Sequence, residues 1–149
     1  MLKKNIIIIS LIFFLTNCGF TPIYLGNDNV NFSIEQINFT GDRELNNFFK
    51  IHLKKYKNDE TDKKFFIEAE SRYEKVILSK DQTGKVSNYQ LEAEVIFTIK
   101  PNNKKIKFFE KKIMDSMDDR FEEVKYEKSV KQNFAISISK RLASELIIN

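Results

Sequence analysis

The chain has 149 residues, 42% of them hydrophobic, with 25 Lys+Arg against 21 Asp+Glu, and that length accommodates one domain around one core rather than two. The net charge of +4 falls to +2 once Lys3 and Lys4 of the expected signal are left out, which gives no global case for nucleic-acid binding, and no nucleic acid is expected as a partner. One cysteine rules out an intramolecular disulfide, and four glycines leave little room for a glycine-rich phosphate loop.

Lys3 and Lys4 precede an apolar run from Ile6 to Leu15, the layout of a secretory signal, and the run is too short for a permanent transmembrane helix. Leu15-Thr16-Asn17-Cys18 resembles the lipobox of bacterial lipoproteins, with Asn17 where a small residue is usual. The resemblance implies cleavage before Cys18 and acylation of its thiol. Gly19 after the cysteine, rather than aspartate, resembles lipoproteins sent on to the outer membrane. Each buried lipid methylene contributes roughly 0.8 kcal/mol, so two or three acyl chains hold a protein on a membrane almost permanently. Residues 1–17 are therefore expected as a signal peptide, 18–29 as the acylated cysteine and a tether, and 30–149 as a single α+β domain. Loss of the signal also removes the charges of Lys3 and Lys4, which brings the chain closer to neutrality.

From Val30, Phe32 and Ile34 and then Ile37 and Phe39 alternate with one slip at Glu35-Gln36, which predicts a bulged strand ended by Thr40-Gly41-Asp42. Asp42 is placed to cap a helix whose stripe is Leu45, Phe48, Phe49, His52, Leu53 and Tyr56. Lys54, Lys55 and Lys57 suit the negative pole of its dipole. His52, the only histidine, lies on the packed edge of that stripe with no second metal ligand at helical spacing, so it is expected to pack rather than to ligate.

Phe65, Ile67, Ala69, Ser71 and Tyr73 alternate, and Val76 and Leu78 then take the other parity, which predicts a long strand with a bulge near Glu74-Lys75. Asp81 to Gly84 forms the turn, after which Tyr89, Leu91, Ala93, Val95, Phe97 and Ile99 define a buried face and Gln90, Glu92, Glu94 and Ile96 its reverse. Pro101-Asn102-Asn103 makes the next turn, and Ile106, Phe108, Phe109, Ile113 and Met114 mark a fourth strand. The last segment, from about Phe121 to Ile148, carries Val130, Phe134, Ile138, Leu142 and Leu146 at four-residue intervals, the mark of an amphipathic helix. The expected fold is an α+β two-layer sandwich in the order β-α-β-β-β-α, a four-stranded, largely antiparallel sheet packed on two helices.

Charge is distributed unevenly along the chain. Lys100, Lys104, Lys105, Lys107, Lys111 and Lys112 crowd one segment, and Asp115, Asp118, Asp119, Glu122 and Glu123 follow at once. These carboxylates read as the acidic start of the last helix rather than as a metal cluster. Hydrolase motifs are absent, and the serine–lysine pairs Ser79-Lys80, Ser139-Lys140 and Ser129 near Lys131 point apart on a strand or helix. No catalytic residue, metal site or cofactor is expected.

Cys18-Gly19-Phe20-Thr21-Pro22-Ile23-Tyr24, preceded by Leu15, resembles the opening of the lipopolysaccharide-assembly lipoprotein LptE family of alphaproteobacterial type. Val86-Ser87-Asn88-Tyr89-Gln90-Leu91 is similar to that family's entry into its third strand, and Lys140-Arg141-Leu142-Ala143 to its closing helix. The resemblance implies a non-enzymatic outer-membrane lipoprotein that sits inside the barrel LptD, helps it assemble and binds lipopolysaccharide. In that setting Gln90, Glu92 and Glu94 become candidates for partner contact. Lipopolysaccharide joins phosphates to a lipid body and calls for cations beside apolar surface. Lys80 and Lys85, next to Ile77, Leu78 and Val86, are the first candidates and Lys104, Lys105 and Lys107 the second. The alternative is an auxiliary lipoprotein of an ABC-type lipid transport system, which would associate with an inner-membrane ATPase complex.

Overall fold

The computed structural model describes residues 31–148. The signal-peptide, lipidation and tether readings at 1–29, Cys18 included, lie outside the described residues. Six main elements follow in chain order: β1 (Ser33–Gly41), α1 (Arg43–Leu53), β2 (Lys64–Lys80), β3 (Val86–Lys100), β4 (Lys104–Asp115) and α2 (Arg120–Ile148), with a short 3-10 turn at Lys54–Tyr56. This is the expected α+β order. One sheet runs β1-β2-β3-β4, and its two helices cover a single face.

The crossover through α1 makes β1 parallel to β2, whereas β2, β3 and β4 form an antiparallel meander. The register of β1 shifts between Ile34 and Gln36, where the alternation slips in the sequence. Asp42 caps α1 as its chemistry requires: with an extended backbone its carboxylate accepts the amide of Leu45 at 2.7 Å. Asp119 does the same for α2, accepting from Phe121 at 2.7 Å.

Alternation on β3 sets the core. Leu91, Ala93, Val95, Phe97 and Ile99 are buried beneath the helices, where the α2 stripe of Val130, Phe134, Ile138, Leu142 and Leu146 meets them. Burying each large apolar side chain contributes roughly 1.5–3 kcal/mol. A row of rings crosses the layer: Phe39 stacks on Phe49, Phe49 meets Phe97 edge-on at 5.9 Å, and Phe97 meets Phe108 at 6.0 Å.

One expectation is corrected. No bulge occurs at Glu74-Lys75: the β2–β3 ladder keeps register from Phe66↔Lys100 through Ile77↔Tyr89, and shifts only between Ile77 and Ser79 and between Ser79 and Lys80. Lys75 therefore faces the helices, while Val76 and Leu78, expected to switch inward, are 43% and 49% exposed. The inward lysine is met by α2. Its Nζ lies 2.7 Å from Glu123 and 3.1 Å from Glu127, and 4.2 Å from the centre of the Tyr89 ring. With its charge matched there, the strand needs no change of parity to hide an apolar residue.

Candidate interaction surfaces

β1 reaches only to Gly41, opposite Ser71, so from Arg72 onward the outer flank of β2 has no neighbouring strand among the described residues. The sheet there narrows to three strands and projects as a pole. Asp81 shapes its tip: one carboxylate oxygen accepts the Thr83 amide at 2.8 Å, the Thr83 hydroxyl at 2.7 Å and the Lys85 amide at 3.0 Å. Gly84 supplies the left-handed backbone (φ 86°) that the turn needs. The Thr83 hydroxyl and then the two amides hold the Asp81 carboxyl below its usual range.

The connection from β4 to α2 closes on the same pole. Ser116 donates its amide to the carbonyl of Ser87 at 2.8 Å, and Lys85 pairs with Asp118 at 2.7 Å. Around this scaffold the side chains are unusually apolar for an exposed surface. Ile77 is 51% exposed, Phe121 72% and Val124 57%, in addition to Val76 and Leu78. Lys80 stands exposed beside them, and Lys85, also exposed, is partnered by Asp118. The first candidate lysines thus stand beside exposed apolar side chains, Lys85 with its charge already paired.

The second group does not form one cluster. Lys105 and Lys107 project from the face of β4 that the helices leave open, opposite Thr98 and Ile96, whereas Lys104 belongs to the helix side of the sheet, opposite Ile99. Lys107 is paired with Glu94 at 2.8 Å. These lysines sit at the β3–β4 turn, at the far end of β3 from Lys80 and Lys85. At about 3.3 Å per residue the fifteen residues of β3 separate the two ends by roughly 50 Å. No single headgroup can span both.

Gln90, Glu92 and Glu94 share the open face, as alternation requires, yet they are half-buried by their own neighbours. Gln90 donates to Glu92, Glu94 pairs with Lys107, and Glu92 and Glu94 line a shallow cavity of about 220 Å³ with Arg72, Glu74 and Phe109. Glu74 lies directly opposite Glu92 in the ladder, a like-charge pairing that a cationic group from outside would relieve. Phe66 and Phe109 are 45% and 46% exposed on the same face, so it is neither purely polar nor purely apolar.

The acidic run that follows β4 is distributed among structural tasks. Asp118 pairs with Lys85, Asp119 caps α2, and Glu123 binds Lys75 and accepts the Met117 amide. No group of three His, Cys, Asp or Glu suited to a metal ion occurs among the described residues. Ser139 is buried while Lys140 is exposed, and Ser79 bonds with Asn88 and Ser87. The imidazole of His52 is held below its ordinary pKa by burial and then by Lys55, with Nε2 enclosed and without a hydrogen-bond partner among the described residues.

Sequence reasoning missed two polar centres. Lys131 lies 2.9 Å from Glu44 and 4.1 Å from the centre of the Tyr73 ring, which ties α1 to α2. Ser71 donates to Asn46 at 2.7 Å in the buried layer, and Asn46 donates to the carbonyl of Thr40 at its edge at 3.1 Å. The signal for the first was available, since Glu123, Glu127 and Lys131 recur every four residues on α2 just before its apolar stripe. Burial pushes the Tyr73 hydroxyl well above its usual range, with the Glu127 carboxylate adding to it.

No family model matches the chain, and no curated protein matches it in sequence. Among solved structures it is similar to rare lipoprotein B of Shewanella oneidensis, with a TM-score of 0.49 and 17% identity over 74% of this chain and 92% of that one. It is likewise similar to the uncharacterized lipoprotein B of Nitrosomonas europaea, with a TM-score of 0.46 and 17% identity over 78% of this chain and 90% of that one. Likeness at this level carries no inference about what the chain binds or where it resides.

Proposed function

We propose that the chain is a lipid-anchored, non-catalytic protein of the outer membrane that occupies the LptD barrel and binds lipopolysaccharide on its way to the cell surface. The observation that carries this reading is the stretch Leu15 to Tyr24, a lipobox-like cysteine followed by Gly-Phe-Thr-Pro-Ile-Tyr. The pole supports it. An amphiphile with phosphates on an acyl body needs apolar surface next to cations, and Ile77 and Leu78 beside Lys80 and Lys85 provide that arrangement. The open sheet face, with its half-buried carboxylates and exposed Phe66 and Phe109, suits contact with a barrel lumen better than with bulk water.

The test is made in cells expressing the full chain. Radiolabelled palmitate should mark the wild-type protein and not Cys18→Ser, and mild-detergent purification should bring down an outer-membrane barrel. A photo-crosslinker at Leu78 should capture lipopolysaccharide, with charge reversal at Lys80 and Lys85 lowering the yield. An unlabelled Cys18 overturns the anchor. Recovery of an inner-membrane ATPase in place of a barrel overturns the location and restores the transport alternative.

A further inference from the structure

β4 is an edge strand of twelve residues, paired with β3 along its length from Lys104 to Asp115, and among the described residues neither a strand nor a loop backbone hydrogen-bonds its outer side. A long unbulged edge presents a row of backbone donors and acceptors that another extended chain can complete. Its side chains narrow the choice. On the open face Lys105, Lys107, Phe109, Lys111 and Ile113 follow at two-residue intervals, with Phe109 and Ile113 46% and 56% exposed. Among the described residues Lys105 and Lys111 make no ion pair or hydrogen bond, whereas Lys107 is matched by Glu94. The strand's own carboxylates are engaged elsewhere: Glu110 accepts from Ser137 and Arg141 on α2, and Asp115 accepts from Asn88.

We infer that the outer edge of β4 is a docking site for an extended segment of a protein partner that carries acidic residues at alternate positions, facing the open side, with apolar residues between them. Backbone bonding supplies the attachment and the charge pattern supplies the choice. A second copy of the same strand would set lysine against lysine and is disfavoured, whereas a glutamate-bearing strand places its carboxylates beside Lys105 and Lys111 at cross-strand distance. This surface lies on the opposite flank of the sheet from β1, and its test reads backbone pairing with a peptide rather than lipid binding, so the inference stands or falls independently of the lipid reading.

Hydrogen exchange of the full chain, read amide by amide along β4, tests it with two synthetic peptides, one alternating glutamate with valine and one alternating lysine with valine. At saturating glutamate peptide, alternate amides between Lys104 and Asp115 should slow by roughly tenfold or more. The lysine peptide should leave them unchanged. In the double variant Lys105→Glu, Lys111→Glu, which spares the Lys107–Glu94 pair, the preference should reverse. Equal protection by both peptides, or none by either, overturns the inference. So does slow exchange before any peptide is added: if independent of protein concentration it means the chain covers its own edge, and if it grows with concentration it means the edge pairs with a second copy.

Discussion

Gly41 sits where no other residue type fits without strain. Its backbone is left-handed at φ 94°, and a Cβ placed there would stand 1.8 Å from the carbonyl oxygen of Ser71. The close approach is what allows Asp42 to donate its amide to that same carbonyl at 3.1 Å and then turn directly into α1. Gly41→Ala is expected to lower the unfolding free energy by about 2 kcal/mol or more, from the left-handed penalty and the displaced β2 backbone together, as measured by urea denaturation. The strand stop and the helix cap were legible, because glycine and aspartate have specific backbone roles at such a junction. The hydrogen bond between Ser71 and Asn46 was not. An asparagine on the packed side of a helix breaks the apolar stripe and signals nothing about which strand hydroxyl will meet it.

At the level of the element, the long β2 strand shows how a charged residue can keep register. Alternation from Phe65 to Tyr73 was legible, but the greasy run Val76-Ile77-Leu78 drew the expected bulge too early, since hydrophobicity alone favours turning it inward. The carboxylates that receive Lys75 come from a helix some fifty residues later, and a strand-level pattern cannot contain them. Their pairing has a pH signature. The Lys75 hydrogen bond, with help from the Met117 amide, holds the Glu123 carboxyl below its ordinary value of 4.5, so its stabilising contribution is full above that value and is lost as the pH falls through the folded value. Lys75 itself, pulled down by burial but raised overall by Glu123 and Glu127, contributes below about 10.5 and loses that contribution as the pH rises beyond its folded value. Wild type is expected to lose more stability between pH 5 and pH 3 than Lys75→Met does, in parallel urea titrations. Equal slopes would show that other carboxylates govern the acid transition.

Across the whole molecule, the layer order and the covered face of the sheet were readable from β3 and α2, whose periods of two and nearly four leave little choice of partner. What could not be read was that the shorter β1 pairs with only the first half of the longer β2, a tertiary property that creates the pole and leaves its apolar residues uncovered. Because Ile77 and Leu78 are about half exposed, Ile77→Ser and Leu78→Ser should each change stability by no more than about 0.5 kcal/mol while reducing retention of lipopolysaccharide several-fold in a pull-down. A large loss of stability would instead mark these side chains as core. The parallel pairing of β1 with β2 has a further result. Ser33 lies level with Lys64, beside the β3–β4 turn, so whatever precedes β1 joins the domain at the opposite end from the hairpin. The hairpin tip behaves as the free end of a lever about 50 Å long, and tilting the domain by about 20° around that junction would sweep the tip through roughly 17 Å. Under the proposed N-terminal anchor, the greasy tip would therefore stand at the end of the domain farthest from its point of attachment.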